Sequence, residues 1–259
     1  MADILGERDD NVPDRPSRVS EPSRQSQLPK RFYKDVQVDA EGVGFVVKLD
    51  GKPIRTPGKD LLTTSSKSVA DLMAQEWSSQ EQRIDPMTMP VTRLLNTAID
   101  GVATDMQAVK EDILRFSSSD MLCYRTEGPE ALNELHLQYW DPLIEWAQVS
   151  LGAQFSLAQG VMYIEQPGEA IAAFSAHLGP IEDPLLLAAC HLVTSLTGSA
   201  IIAMAVLKNE CDLDEAWQIA HVDEDWNASQ WGEDVEATQR RAARLVDMTA
   251  AVACIEALR

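Results

Sequence analysis

From Pro184 to Leu207 the chain runs for 24 residues without one formally charged side chain. Such a stretch must either cross a bilayer or be wrapped by the rest of the molecule, because nothing else removes that much apolar surface from water. Its interior argues for wrapping. Thr197, Gly198 and Ser199 break it near the middle, His191, Thr194 and Ser195 add polarity, and neither flank carries the Lys and Arg cluster that sets membrane topology. A buried helical hairpin is therefore expected, and with 259 residues at 45% hydrophobic content there is enough chain to bury it.

The organisation changes along the chain. Phe32 to Val38, Val43 to Leu49 and a run from Lys52 have the short alternating pattern of strands, and Asp50-Gly51 is a tight-hairpin signal because the turn requires positive φ. Ser68 with Asp71 is the expected cap of a helix whose apolar stripe is Val69, Leu72, Met73 and Trp77, with Pro86 and Pro90 closing it. Beyond Pro90 the period is helical: 92–102, 106–116, 129–151 with a bend at Trp140-Asp141-Pro142, 169–178, 184–196, 199–207, 214–231 and 234–258. Gln154 to Tyr163 fits a strand or an irregular link equally well. The expected fold is α+β, with a disordered tail over 1–28, a small antiparallel β domain with one helix over 29–90, and a helical bundle over 91–259. Trp77, Trp140 and Trp146 are expected as core or junction anchors.

Charge excludes some partners. A net charge of −19 leaves no basic face for nucleic acid or for an anionic membrane surface. Cys123, Cys190, Cys211 and Cys254 are scattered in apolar or helical contexts, which suits reduced thiols in a cytoplasm-like compartment. The tail lacks the apolar run of a signal peptide, and its acidic residues do not fit a mitochondrial presequence. A bacterial cytoplasmic protein is the expectation.

Chemical motifs are sparse. His136, His177, His191 and His221 form no metal-binding helix pattern, no Cys-x-x-Cys occurs, and neither metal nor cofactor is expected. Gly51 to Lys59 misses the phosphate-loop spacing, and the nucleophile-elbow and dinucleotide motifs are absent. Ser117, Ser118 and Ser119 read as a loop or cap ahead of Asp120.

One segment stands out. Between Lys208 and Arg240 lie ten acidic residues, no Lys or Arg, and three tryptophans, Trp217, Trp226 and Trp231. On one continuous helix Trp217, Glu224 and Trp231 share a narrow sector, which frames a carboxylate between two indoles. Asp223, Glu224 and Asp225 could be a solvated face, recognition carboxylates, or an acid/base pair in a small-molecule enzyme if burial raised a pKa. The framing favours recognition for Glu224, whereas Asp225 points away into water. Glu233, Asp234 and Glu236 suit either binding or the start of the next helix. Arg240 and Arg241 could neutralise some of these acids internally.

Five motifs follow one another along the chain: Arg31-Phe32-Tyr33-Lys34, Leu49 to Pro57, Trp140-Asp141-Pro142-Leu143 with Trp146, Thr197-Gly198-Ser199, and Trp231-Gly232-Glu233-Asp234 with Glu236-Ala237. In this order and spacing the chain, from about Arg31 to its end, resembles the assembly chaperones that act on the α subunit of F1-ATPase. Asn227 departs from the Gln usual there. The resemblance implies a β domain followed by a helical bundle, no catalysis, a holder that shields newly made α subunit until the β subunit joins, and a functional carboxylate carried here to Glu224 of the Asp223-Glu224 pair; separately, weak and transient contact through an acidic surface favours a monomer. Partner contacts are then expected at Glu224, Asp223, Trp217, Trp231 and Glu233, with the indoles over an apolar patch and Glu224 against a cation.

Overall fold

The computed structural model describes residues 28–160 and 162–259. The expected tail therefore lies, apart from Leu28, outside the described residues. Strands β1 (Val36–Glu41) and β2 (Gly44–Leu49) pair antiparallel. Strands β3 (Lys52–Pro53) and β4 (Thr63–Thr64) follow each other along the second edge of β2. The hairpin between β2 and β3 forms as its sequence predicts, with φ of 48° at Asp50 and 79° at Gly51. The Asp50 carboxylate also accepts the backbone N–H groups of Lys34 and Asp35 at 3.1 and 2.9 Å, which holds it below the ordinary aspartate range. A Cβ at position 51 would touch nothing within 4 Å, so Gly51→Val should cost only its backbone strain, about 1–2 kcal/mol. Urea denaturation of the variant measures that loss directly.

Helix α1 (Lys67–Ser79) is capped by Ser66, two residues before the expected Ser68. The Ser66 hydroxyl accepts from Val69 N–H at 3.5 Å and donates to the Ala257 carbonyl at 2.6 Å, tying this helix to the far end of the chain. Asp71 instead pairs with Lys67 at 2.7 Å. The prolines do not close α1 but open the next two elements: Pro86 starts a short 3-10 turn and Pro90 is the first residue of α2 (Pro90–Asp100). Proline fits there because the first helical N–H has no partner to lose. Met89 offers no side-chain cap, so Glu76 of α1 supplies one, its carboxylate accepting Val91 N–H at 2.6 Å and Thr92 N–H at 2.8 Å.

The helical part continues with α3 (Met106–Ser117), α4 (Glu130–Tyr139), α5 (Asp141–Leu151) and α6 (Gly168–Leu178). Trp140 and Pro142 make the predicted bend between α4 and α5. Within the ambiguous segment, β6 (Ala158–Gln159) pairs parallel with β5 (Tyr124–Arg125).

The uncharged stretch becomes α7 (Pro184–Thr197) and α8 (Ala200–Leu207), joined at Gly198 with φ of 71°. Every residue of α8 from Ala200 to Val206 is buried, so this helix is apolar all round because it is enclosed all round. Helix α7 lies against α2, α3 and α11 (Val235–Leu258). None of the helices among the described residues is long and apolar enough to cross a membrane. Buried residues from Tyr33 to Ile255 join one apolar cluster, which the β part and the helical part share.

Asp120 seals the buried start of α8. Fully enclosed, its carboxylate accepts Leu122 N–H at 3.1 Å and Ile201 N–H at 3.0 Å. Burial pushes its pKa up to about 6, against the opposing effect of those N–H donors. The four cysteines are buried free thiols, and burial raises Cys190, Cys211 and Cys254 to about 12.

Candidate partner-binding site

The predicted single helix over 214–231 is two helices, α9 (Leu213–Ala220) and α10 (Val222–Trp231), broken at His221. The break has identifiable causes. His221 Nδ1 lies 2.7 Å from the Trp217 carbonyl, and the Trp140 indole N–H donates to the Ile219 carbonyl at 2.9 Å, so side chains occupy backbone acceptors that a continuing helix would use. Two sequence signals point the same way. Asp212 and Glu215 form a reciprocal capping box that starts α9, and Asp223, Glu224 and Asp225 fill the first turn of α10, where the helix dipole favours acids.

This break overturns the expected framing of Glu224 by two indoles. Trp217 is 9% exposed and turned inwards against the His221 ring, centroids 4.0 Å apart, so it cannot cover a partner's surface. Trp231 is the opposite case. It is 87% exposed at the end of α10, and Val235, in the first turn of α11, is also exposed. Gly232 between them adopts φ 87° and ψ 166°, a conformation for glycine alone. Glu233 is exposed beside it, while Asp234 caps α11 by accepting Glu236 N–H at 2.9 Å. Trp226 is half-buried.

The three consecutive acids of α10 have different surroundings. Asp223 meets His136 Nε2 of α4 at 2.6 Å. His136 is buried and stacks on Trp140 with ring centroids 3.7 Å apart, and Arg125 lies over the same indole at 5.3 Å. Asp225, expected to face only water, is instead held by both terminal guanidinium nitrogens of Arg241, and this pairing raises the arginine's pKa. Internal neutralisation thus applies to Asp225, while Arg240 pairs with Glu236 at 3.3 Å. Glu224 has only loose contacts with basic side chains, 3.7 Å to His221 Nε2 and 4.0 Å to Arg244 Nη1, and its side chain remains 57% exposed. Burial lowers the His221 pKa, so the imidazole beside Glu224 favours its neutral form.

Sequence reasoning missed His136, His221 and Arg244. His136 and Trp140 are four residues apart on a predicted helix, a spacing that brings side chains together. Their connection to Asp223, 87 positions away, has no local signal. Asp223 and Glu224 line none of the five main cavities, which are bounded by other residues.

This arrangement of an antiparallel β part and a helical body has known counterparts. Residues 30–148 match the family model described as ATP12 chaperone protein. The structure is similar to that of the Atu1473 protein from Agrobacterium tumefaciens, with 55% identity, TM-score 0.87, and coverage of 93% of this chain and 92% of that one. It is also similar to Atp12 from Paracoccus denitrificans, with 34% identity, TM-score 0.83, and coverage of 89% and 99%. An aspartate-to-lysine mutant of that protein superposes equally well, at TM-score 0.83. The chain belongs to the ATP12 chaperone family.

Proposed function

We propose that this chaperone holds the unassembled α subunit of F1-ATPase, shielding its subunit interface until the β subunit joins, and that it does so as a cytoplasmic monomer without catalysis. In this reading residues 29–90 form the β domain and 91–259 the client-binding helical domain. One observation supports the assignment of Glu224: all three acids are exposed, but Asp223 and Asp225 are already held by His136 and Arg241, whereas Glu224 is only loosely contacted. An incoming arginine or lysine can therefore take Glu224 without breaking a tight internal pair, which keeps the desolvation cost of docking low. Trp231 and Val235 supply the apolar surface beside it, and Glu233 adds negative charge at the rim. Asp223 orients α10 through His136, and Trp217 anchors the preceding helix from inside.

The expected result for Glu224→Gln is a drop in co-purified α subunit, with binding weaker by about tenfold and the melting temperature unchanged, because the side chain is exposed. Equal recovery of α subunit by the variant and the parent would remove Glu224 from the interface.

A further inference from the structure

A second feature of the same helices lies away from Glu224. The α4–α5 elbow and the α9–α10 elbow face each other, and two hollows open along their seam. One, of about 230 Å³, is bordered by Leu135, Val222, Trp226 and Ser229. The other, of about 280 Å³, is bordered by Leu143, Ile219, Glu210 and Glu215. Tyr139 and Gln218 border both, and the hydrogen bond from Gln218 Nε2 to the Tyr139 hydroxyl, at 3.0 Å, joins the two residues that the hollows share. This bond is on the surface, since Gln218 is exposed. Parting a single solvent-accessible hydrogen bond costs little, and the two hollows would then form one groove.

The chemistry of the walls selects an occupant. No Lys or Arg lines either hollow. The acid at the first hollow, Asp225, is paired with Arg241, so that end carries no unpaired charge and offers Leu135, Val222 and Trp226 as an apolar wall beside the polar Gln218 and Ser229. At the second, Glu210 and Glu215 are exposed; Glu215 completes the capping box and neither meets a cation among the described ion pairs. An apolar end next to an anionic end complements a segment that carries a bulky apolar residue close to a lysine or arginine.

We propose that this seam is a docking groove for an extended basic-apolar segment of the client, with an apolar side chain against Trp226 and Leu135 and a cation against Glu210 and Glu215. It deepens the chaperone reading above by naming the kind of client segment bound, and it is continuous with the Glu224 ridge because α10 contributes to both.

A fluorescent lysine-leucine hexapeptide and its glutamate-leucine counterpart, titrated against the full chain, test it. The basic peptide should bind, weaken as salt is added, and lose about tenfold in affinity in Glu210→Lys and in Ser229→Trp, which fills the first hollow. Both positions are exposed, so circular dichroism and melting should match the parent. Glu81→Lys, a charge reversal at an exposed acid that borders neither hollow, should leave peptide affinity unchanged. Equal binding of the acidic peptide, or indifference to both groove variants, overturns the proposal. So does self-association of the chain relieved by Glu210→Lys without peptide binding, which would assign the seam to a second copy. If the parent captures no F1 α subunit, the identity of the client fails, while the peptide titration still decides the groove.

Discussion

Trp140→Ala should lower the unfolding free energy by about 3–5 kcal/mol, the usual range for emptying a large buried aromatic site. At 1% exposure this is among the largest enclosed side chains, and it binds separate parts of the chain together. Its face stacks on His136, its indole N–H reaches the Ile219 carbonyl at 2.9 Å, and the Arg125 guanidinium lies over the ring. Removing the ring leaves a cavity and an unpaired carbonyl at the end of α9, and it frees His136 from the stack that aims it at Asp223. Scanning calorimetry should show a melting temperature lower by roughly 10 °C, given about 2–4 °C per kcal/mol for a chain of this size. Trp140→Phe should recover much of the loss by restoring the stack without the N–H. If the alanine variant melts within a degree or so of the parent, Trp140 does not organise the α9–α10 elbow.

Asp120→Asn is expected to cost about 2–3 kcal/mol at neutral pH, because one of the two oxygens that accept backbone N–H groups becomes an amide donor facing a donor. The loss should also depend on pH. Burial raises the folded-state pKa of Asp120 from 3.8 to about 6. A carboxyl raised in this way binds its proton more tightly in the folded state. Its contribution is therefore fully present below the unfolded value and is lost as pH rises through about 6. The parent should lose on the order of 1.4 kcal/mol from this group between about pH 5 and about pH 7, a slope that the asparagine variant lacks. Urea denaturation at the two pH values checks the sign: the gap between parent and variant narrows at the higher one. A gap that widened instead would mean that the N–H donors around Asp120 outweigh its burial.

Much of the architecture was legible because its causes are local. Asp50-Gly51 demands the positive φ of a tight hairpin, Trp140-Asp141-Pro142 interrupts a helix by chemistry confined to one turn, and a 24-residue uncharged run has to be enclosed. The early capping by Ser66 and the opening role of Pro86 and Pro90 were less legible, since Ser68 and the prolines satisfy generic rules at either end of a helix. Periodicity alone also put Trp217 and Trp231 on one face. That inference assumes an unbroken helix, and the break at His221 depends partly on the indole of Trp140, 79 residues away from the carbonyl it takes.

The sequence by itself determined that the molecule would be a small antiparallel sheet joined to a helical body, with a concentrated band of acids and indoles near its end. Hydrophobic period, turn chemistry and charge density are properties of neighbouring residues, and they need no tertiary contact to act. Only the tertiary structure decided which of those acids remain available. Asp223 and Asp225 look alike along the chain, yet one meets His136 from α4 and the other Arg241 from α11, leaving Glu224 between them loosely held. Whether a carboxylate is left without a tight partner depends on which side chains the folded chain brings within a few ångströms of it, and that distance is set by packing between helices rather than by spacing within one.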